Sequence, residues 1–330
     1  MIYRELSNSD IKISAVVFGA WAIGGWMWGG TDINNAIAAI QKSFELGITT
    51  IDTAAIYGFG LSEVIISKAI EGKRDKFQIF TKCGLRWDIK KGTHYFNTID
   101  NDGKSIDVYK YSGKESIIEE CERSLKRLQT DYIDLYQIHW PDETTPIEES
   151  MDAFNILIKD GKIRAGGVSN YNIDQTQKAI KNFKISSNQI PFSMINQIND
   201  RDVIPYCSIN NISVLAYSPL QGGLLTGKIT TDYRFKEGDH RAGSSFFKKE
   251  NIKKVNKFLN KIKYIAKEKK ITLGQLIINC TIQKDGITAA LVGARNSKQA
   301  EENAKACDFM LSKDEIKIID NYLSEVKLDI

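Results

Sequence analysis

The five cysteines of this 330-residue chain form no pattern that would hold a disulfide framework or a metal ion. They are odd in number and scattered, and none stands in C-x-x-C spacing or beside a cluster of histidines. Structural disulfides and zinc sites both depend on such spacing. The sequence therefore predicts neither disulfides nor a bound metal.

Long apolar segments, targeting signals and strong charge are absent as well. No apolar run approaches the roughly 20 residues that a membrane-spanning helix needs, and the N-terminus lacks the charged-then-apolar order of a signal peptide. The net charge is only +4, and lysines are interleaved with glutamates along the chain. Because nucleic-acid binding requires a concentrated basic surface, we expect a cytoplasmic protein whose partners include neither a membrane nor a nucleic acid.

Two further absences concern the domain organisation. A chain of this length could hold one large α/β barrel or two ordinary domains, but no linker rich in proline, glycine or serine divides it. A doubly wound nucleotide-binding sheet needs the pattern G-x-G-x-x-G after its first strand, and the glycines between residues 24 and 30 do not supply it. The sequence thus predicts a single domain spanning residues 1–330.

Short apolar segments that alternate with helical segments are what the chain does contain. Eight such strands in alternation with helices are typical of a (β/α)₈ TIM barrel. An alternating segment over residues 3–14 predicts an N-terminal β-hairpin that caps one end of the barrel. Two long loops, residues 85–112 and 220–249, are expected to cover the C-terminal face. The predicted strands are residues 16–21, 49–52, 77–82, 133–140, 163–170, 186–192, 213–219 and 287–293.

Three of these strands end in residues that are costly to bury. Asp52 ends one strand and is followed by Tyr57 in the next loop, while Lys82 and His139 end two others. An unpaired buried charge costs several kcal/mol, whereas neighbouring strands of a barrel would bring these groups together at one end. Two interpretations fit: an active site, or a buried Asp–Lys pair that only closes the barrel.

The segments around these residues resemble the aldo-keto reductases. The likeness extends from residue 17 to residue 303, and several independent motifs occur in the family's order. Residues 22–30 are similar to those of the bacterial members that are encoded with inositol-catabolism genes. The shared motifs lie at residues 51–54, 57–58, 81–82, 137–142, 167–170 and 216–220.

The resemblance implies a catalytic tetrad of Asp52, Tyr57, Lys82 and His139. Carbonyl reduction needs a hydride on carbon and a proton on oxygen, and Tyr57 would donate that proton. Its ordinary pKa of about 10 makes tyrosine a reluctant acid-base group, and the ammonium of Lys82 is expected to favour the phenolate. Asp52 would hold Lys82 in its charged form. His139 would donate a hydrogen bond to the substrate oxygen.

The resemblance also implies NADPH as the cofactor. Ser169, Asn170 and Gln189 match positions that hold the nicotinamide carboxamide, and Tyr217 matches the aromatic residue that stacks on the nicotinamide ring. Arg295 would contact the 2′-phosphate or the adenine. The complete set of implied cofactor residues is Ala20, Trp21, Asp52, Ser169, Asn170, Gln189, Tyr217, Ser218, Pro219, Leu220, Gly222, Gly223, Lys228, Gly293, Arg295, Ser297, Gln299, Glu302 and Asn303.

The chain's five tryptophans all follow predicted strands on one face of the expected barrel. They could simply pack together, but their clustering favours an aromatic-walled substrate pocket. The tryptophans that the sequence predicts in this pocket are Trp26, Trp28, Trp87 and Trp140.

The resemblance implies an NADPH-dependent oxidoreductase that reduces aldehyde or ketone groups of small molecules to alcohols. The alternative is a nucleotide-binding redox sensor or regulatory subunit, because the potassium-channel β subunits share the fold and the tetrad. Steady turnover of a simple aldehyde would favour the enzyme. The sequence predicts neither the physiological carbonyl substrate nor the oligomeric state.

Overall fold

A computed structural model describes residues 1–330 and shows a closed barrel of eight parallel strands. The predicted (β/α)₈ barrel is therefore confirmed. Around the barrel the strands follow one another in chain order, and the last pairs with the first. The barrel strands are β3 (Val16–Gly19), β4 (Thr50–Asp52), β5 (Gln78–Cys83), β9 (Ile133–Ile138), β10 (Ile163–Ser169), β11 (Ser187–Pro191), β12 (Ser213–Tyr217) and β13 (Ala289–Gly293).

Ten helices accompany the strands, and polar side chains cap several of them. The Asp32 carboxylate accepts the Asn35 N–H at 2.9 Å at the start of the first helix, which satisfies one of the donors that a helix leaves unpaired. None of the helices is both long and apolar enough to cross a lipid bilayer. The helices are α1 (Ile33–Glu45), α2 (Leu61–Ala69), α3 (Lys114–Leu128), α4 (Ile147–Lys159), α5 (Ile173–Asn182), α6 (Val203–Ile209), α7 (Lys249–Glu268), α8 (Leu273–Gln283), α9 (Ser297–Ala304) and α10 (Lys313–Ser324).

The barrel strands are apolar on both faces, as parallel strands under helices must be. Residues such as Ile79 face the helices, whereas Phe80 and Leu135 fill the interior. The predicted N-terminal hairpin is also confirmed: β1 (Tyr3–Glu5) and β2 (Lys12–Ser14) pair antiparallel. Leu6 and Ile11 beside these strands and Ile13 within β2 are buried against the interior layer, so the hairpin closes the N-terminal end of the barrel.

The alternation of side chains along a strand brings the polar groups to the other end. Successive residues point to opposite faces, so Lys82 follows Phe80 into the interior and Gln137 follows Leu135. The register places Lys82 opposite Gln137 and Gly19 opposite Asp52. These residues therefore form a layer at the C-terminal ends of the strands.

The segment over residues 85–112, predicted as a long loop, contains a three-stranded antiparallel sheet. We call it the flap: β6 (Leu85–Arg86), β7 (Thr93–Ile99) and β8 (Ser105–Lys110), with β8 in the middle. The turn that joins β7 to β8 contains Gly103 with a φ of 82°. Two runs rich in β-branched and aromatic residues around an Asp-Gly turn are a hairpin signal, and the high polarity of the segment obscured it.

The second predicted loop, residues 220–249, contains no strand or α-helix. It forms three short 3₁₀ turns, at Leu224–Thr226, His240–Gly243 and Ser245–Phe247. An isolated bridge between Trp28 and Asp239 joins this loop to the loop that follows β3. The flap and this second loop together border the C-terminal end of the barrel.

Candidate active site

A cleft of about 600 Å³ opens at the C-terminal ends of the barrel strands. It continues from the barrel mouth towards the start of α9. Lys82 lies beneath its floor, while Ser297 and Trp87 do not border it. The predicted site residues that line it are Ala20, Trp21, Trp26, Trp28, Asp52, Tyr57, His139, Trp140, Ser169, Asn170, Gln189, Tyr217, Ser218, Pro219, Leu220, Gly222, Gly223, Lys228, Gly293, Arg295, Gln299, Glu302 and Asn303.

At the barrel end of the cleft, a buried ammonium connects a carboxylate to a phenol. The Lys82 Nζ donates to Asp52 Oδ1 at 2.7 Å and to the Thr53 carbonyl oxygen at 2.8 Å. It also lies 3.3 Å from Tyr57 Oη. Lys82 and Asp52 are only 1% and 2% exposed, so water screens their attraction very little.

Two glutamines hold the second oxygen of the Asp52 carboxylate. The Gln189 side chain donates to Asp52 Oδ2 at 2.7 Å, and Gln137 approaches the same oxygen at 3.4 Å. A buried carboxylate needs such donors to offset its lost hydration. Gln189 therefore belongs to the Asp52 network as well as to the cleft wall.

The position of Tyr57 depends on a close approach of two loops. Gly58 has a φ of 64°, and a Cβ at this position would lie 2.2 Å from the Gly24 carbonyl oxygen. Only glycine can meet both conditions. The loop after β3 thus fixes the loop that carries Tyr57, whose ring packs edge-on against His139 with centroids 5.7 Å apart.

Burial determines the protonation of these groups. Burial, followed by the charge of Asp52, raises the pKa of Tyr57 well above its usual range. Burial and then the nearby charge of Lys82 lower the pKa of His139 well below its usual range. Burial also lowers the pKa of Lys82, against the opposing effect of Asp52. The expected effect of Lys82, a shift of Tyr57 towards the phenolate, is therefore opposed by burial and by the charge of Asp52, and it stays a prediction.

Three side chains connect the next strand ends across the cleft floor. Ser169 Oγ donates to the Gln189 carbonyl oxygen at 2.8 Å, and Asn170 Nδ2 donates to the His139 carbonyl oxygen at 3.0 Å. The Tyr217 hydroxyl donates to Asn170 Oδ1 at 2.9 Å. The ring of Tyr217 is therefore held in a fixed position beside the amide groups.

The far end of the cleft presents hydrogen-bond donors and cations. The N–H groups of Leu220 and Gly222 donate to no other backbone group. Arg241 donates to the Gly222 carbonyl oxygen at 2.8 Å, and Arg295 donates to the Trp28 carbonyl oxygen at 3.3 Å. Lys228 pairs with a glutamate at 3.0 Å. Backbone donors next to cations are the groups that bind phosphate.

The sequence model of the Aldo/keto reductase family matches residues 15–324. The chain belongs to the aldo/keto reductase family. The reductase is thus an oxidoreductase that uses NADH or NADPH and reduces carbonyl groups of small molecules.

Named relatives of the reductase resemble it over nearly their whole length. Aldo-keto reductase YhdN of Bacillus subtilis is 37% identical over 100% of this chain and 96% of the relative. The NADH-specific methylglyoxal reductase of Escherichia coli is 36% identical over 93% of this chain and 94% of the relative. The structure of a glycerol dehydrogenase from Gluconobacter oxydans is 34% identical and superimposes with a TM-score of 0.87, covering 98% of this chain and 95% of that one.

The cleft of the reductase has residues that the sequence analysis did not select. Arg241 borders it from the second loop, where an ion pair with Asp239 at 2.6 Å orients the guanidinium. Tyr95 and Phe96 border it from the flap. The sequence signal for Arg241 was an Asp-His-Arg cluster at 239–241, and that for the flap residues was the hairpin pattern.

The tryptophans of the reductase divide into two groups. Trp21, Trp26, Trp28 and Trp140 border the cleft, whereas Trp87 packs against Phe59, with ring centroids 5.6 Å apart. The indole N–H groups of Trp21 and Trp28 are buried without an acceptor, which costs free energy unless a ligand supplies one. Trp87 thus fits the packing interpretation, while the other four form part of the cleft wall.

Proposed function

We propose that this reductase transfers hydride from NADPH to aldehydes or ketones of small molecules, with Tyr57 as the proton donor. The contact that supports this most strongly is the chain from Asp52 through Lys82 to Tyr57 at the floor of the cleft, with Lys82 Nζ 2.7 Å from the carboxylate and 3.3 Å from the phenol oxygen. If the Asp–Lys pair only stabilised the barrel, it would not need a tyrosine hydroxyl next to Lys82 or an open cleft above that hydroxyl.

In the proposed proton transfer, Tyr57 and His139 both hold a proton that they can donate before the reaction begins. A general acid must hold a proton before the reaction, and the raised pKa of Tyr57 ensures this. His139 is neutral and can donate one hydrogen bond to the carbonyl oxygen. As hydride reaches the carbon, negative charge develops on the oxygen, and Lys82 behind Tyr57 stabilises the phenolate that remains.

The cofactor is proposed to lie along the cleft between Tyr217 and α9. The aromatic ring and the amides of Ser169, Asn170 and Gln189 suit a nicotinamide carboxamide, while the free N–H groups of residues 220 and 222 suit a pyrophosphate. The buried indole donors at the cleft wall also need acceptors. Bound NADPH would supply the hydride.

We base the preference for NADPH over NADH on the positive charge of Arg295. Its guanidinium borders the cleft beside α9 and has no carboxylate partner. A charge-assisted contact with a 2′-phosphate is worth about 1.5–3 kcal/mol before solvent screening. Gln299 next to it accepts the Arg295 backbone N–H at 2.8 Å and contributes no charge. The E. coli relative is NADH-specific, so Arg295 is the residue to test.

Replacing Arg295 with alanine should weaken NADPH binding about tenfold and leave NADH binding within about twofold, because only NADPH carries the 2′-phosphate. Fluorescence titration with both nucleotides measures this. Lys298→Ala is the matched control, since Lys298 is an exposed cation three residues further on, in α9, that does not border the cleft. Equal losses for NADPH and NADH in the Arg295 variant would show that Arg295 does not read the phosphate.

The proposed reaction is tested with a panel of aldehydes and ketones, by following the absorbance of NADPH and NADH at saturating cofactor. Steady multiple turnover of at least one carbonyl is expected. A single slow turnover with retained nucleotide on every member of the panel would contradict the proposed function.

Three finer expectations remain predictions. They are the placement with reductases encoded alongside inositol-catabolism genes, the single-domain organisation of residues 1–330, and the cytoplasmic location. The similarity of residues 22–30 supports the first. The continuous match of residues 15–324 to one family model supports the second.

A further inference from the structure

Lys110 occupies a structurally fixed position at the end of the flap. It lies in the central strand, β8, and its backbone pairs with Leu85 on one side and Thr93 on the other. Gly92, with a φ of 82°, passes so close that a Cβ there would lie 1.9 Å from the Lys110 carbonyl oxygen. The two neighbouring segments therefore fix the point from which the side chain extends.

The alternation along β8 puts the Lys110 side chain on the face that covers the barrel. Ile106 and Val108 share this face, and both pack in the apolar cluster that contains Trp26. The pattern calls for a third apolar residue at position 110, but the chain has a lysine. A cation at such a position needs a reason other than packing.

The ammonium of Lys110 lies over two aromatic rings of the cleft wall. Its Nζ is 4.2 Å from the ring centroid of Tyr95 and 5.3 Å from that of Trp140. Both aromatic residues border the cleft. Cation–π contacts of this kind orient an ammonium without neutralising its charge.

No carboxylate pairs with this ammonium. Two other cations of residues 85–112 do have such partners: Arg86 contacts Asp88 at 2.8 Å, and Lys90 lies 3.8 Å from Asp107. Lys110 forms no ion pair and no side-chain hydrogen bond. Lys110 does not itself line the cleft, but its unpaired charge lies directly behind two rings that do.

The rest of the cleft offers no free carboxylate that would repel an anion. Asp52 and Glu302 are the only acidic residues that border it. Asp52 is bound to Lys82 at 2.7 Å, and Glu302 is bound to Lys228 at 3.0 Å. An anionic substrate would thus meet a favourable charge at the mouth and no opposing charge inside.

We propose that Lys110 determines specificity for carbonyl substrates that carry an anionic group, a carboxylate or a phosphate, at the end distant from the carbonyl. The inference rests on the proposed reductase function. The carbonyl would lie at Tyr57, the body of the substrate would lie against Tyr95 and Trp140, and the anionic end would bind Lys110.

The test compares a charged substrate with its neutral counterpart. Lys110→Met keeps most of the side-chain length and its contact with the rings, but removes the charge. We expect KM for 4-carboxybenzaldehyde to rise about tenfold, as expected when one charge-assisted contact is lost. KM for methyl 4-formylbenzoate should stay within about twofold. Using 4-formylphenyl phosphate in a third series distinguishes a preference for phosphate from one for carboxylate.

Two further variants make the test specific. Lys110→Arg should retain the preference, because it retains the charge. Lys91→Met is the matched control: its Nζ also lies over an aromatic ring in residues 85–112, 5.8 Å from the centroid of Tyr111, but Tyr111 does not border the cleft. Lys91→Met should leave both KM values unchanged. Added salt should raise KM for the charged aldehyde in the wild type and not in Lys110→Met.

The possible failures are distinguishable. Equal changes for the acid and the ester in Lys110→Met would overturn the proposal and make Lys110 a packing residue. Good turnover of the ester, with no preference for either anionic aldehyde in the wild type, would overturn it too while leaving the reductase function intact. Absence of turnover with every carbonyl would overturn the function itself and this inference with it.

Discussion

The two ends of the barrel each contain a buried carboxylate that is bound by cations, yet the two sites differ in their surroundings. At the N-terminal end of β9, Asp134 accepts from Arg74 at 2.8 Å and from Arg164 at 2.6 Å. It also accepts the Ile79 N–H at 2.8 Å. At the C-terminal end, Asp52 has one cation, Lys82.

The difference lies in what the cation does besides pairing. Both arginines at the N-terminal end donate to Asp134 and to further groups, and neither they nor Asp134 border the cleft. Lys82 instead reaches a phenol that does border the cleft. A buried ion pair by itself therefore does not mark a site. The neighbouring proton donor and the accessible space are what distinguish the Asp52 end.

The largest expected effect is that of Tyr57→Phe at the C-terminal end. It removes the proposed proton donor and changes little volume, so kcat should fall by about 10²- to 10⁴-fold, the usual contribution of a general acid. Thermal stability and NADPH affinity should be retained. Tyr136→Phe is the matched control, because Tyr136 is a fully buried tyrosine in β9 that does not border the cleft. Steady-state kinetics and thermal melts measure both variants.

A Tyr57→Phe enzyme that kept more than about a tenth of its turnover, with hydride transfer shown to be rate-limiting by a deuterium isotope effect, would fall short of that loss. Tyr57 would then not be the acid. Lys82→Met should be comparably severe, and the double variant should be little worse than either single one, since residues that act as a unit are not additive.

A substitution at the N-terminal end of the barrel should lower the stability of the protein and leave its activity unchanged. Asp134→Asn removes the buried carboxylate that Arg74 and Arg164 share, and breaking a buried pair costs about 3 kcal/mol. Chemical denaturation should show this loss, while kcat/KM per folded molecule stays unchanged. Asp10→Asn is the control: Asp10 pairs with Arg164 at 3.0 Å but is 82% exposed, so its loss should cost under about 1 kcal/mol. A tenfold fall in kcat/KM for Asp134→Asn would remove the distinction between the two ends.

The sequence was sufficient to predict the barrel and the meeting of the tetrad side chains. Alternation along each strand and the common direction of the strands place Asp52, Lys82 and His139 in one layer, and neither depends on loop conformation. The predicted strand over residues 163–170, for example, is observed as Ile163–Ser169. Whether the layer catalyses the proposed reaction stays a prediction.

Loop geometry and protonation could not be predicted in the same way. The flap depends on tertiary pairing of polar segments. The sequence therefore could not decide whether Trp87 lines the cleft or packs outside it. Arg241 reaches the cleft only because the second loop returns over Gly222. The rise of the Tyr57 pKa comes from burial and then from the charge of Asp52. The balance between these effects and the opposite charge of Lys82 is a property of the packed site.

The smallest expected effect is that kcat/KM does not change with pH near neutrality. This prediction tests the balance between burial and the charge of Lys82 at Tyr57. A general acid contributes below its pKa and loses its contribution as the pH rises through it. Burial raises the pKa of Tyr57 above its usual value, so the loss should begin only above about pH 10. His139 has a lowered pKa and stays neutral down to well below about pH 6. We therefore expect kcat/KM for a neutral aldehyde to be level between about pH 7 and pH 9, measured at constant ionic strength and saturating cofactor. If the ammonium of Lys82 outweighed burial, the pKa of Tyr57 would fall into this range and kcat/KM would decline with pH, which would contradict the protonation described here.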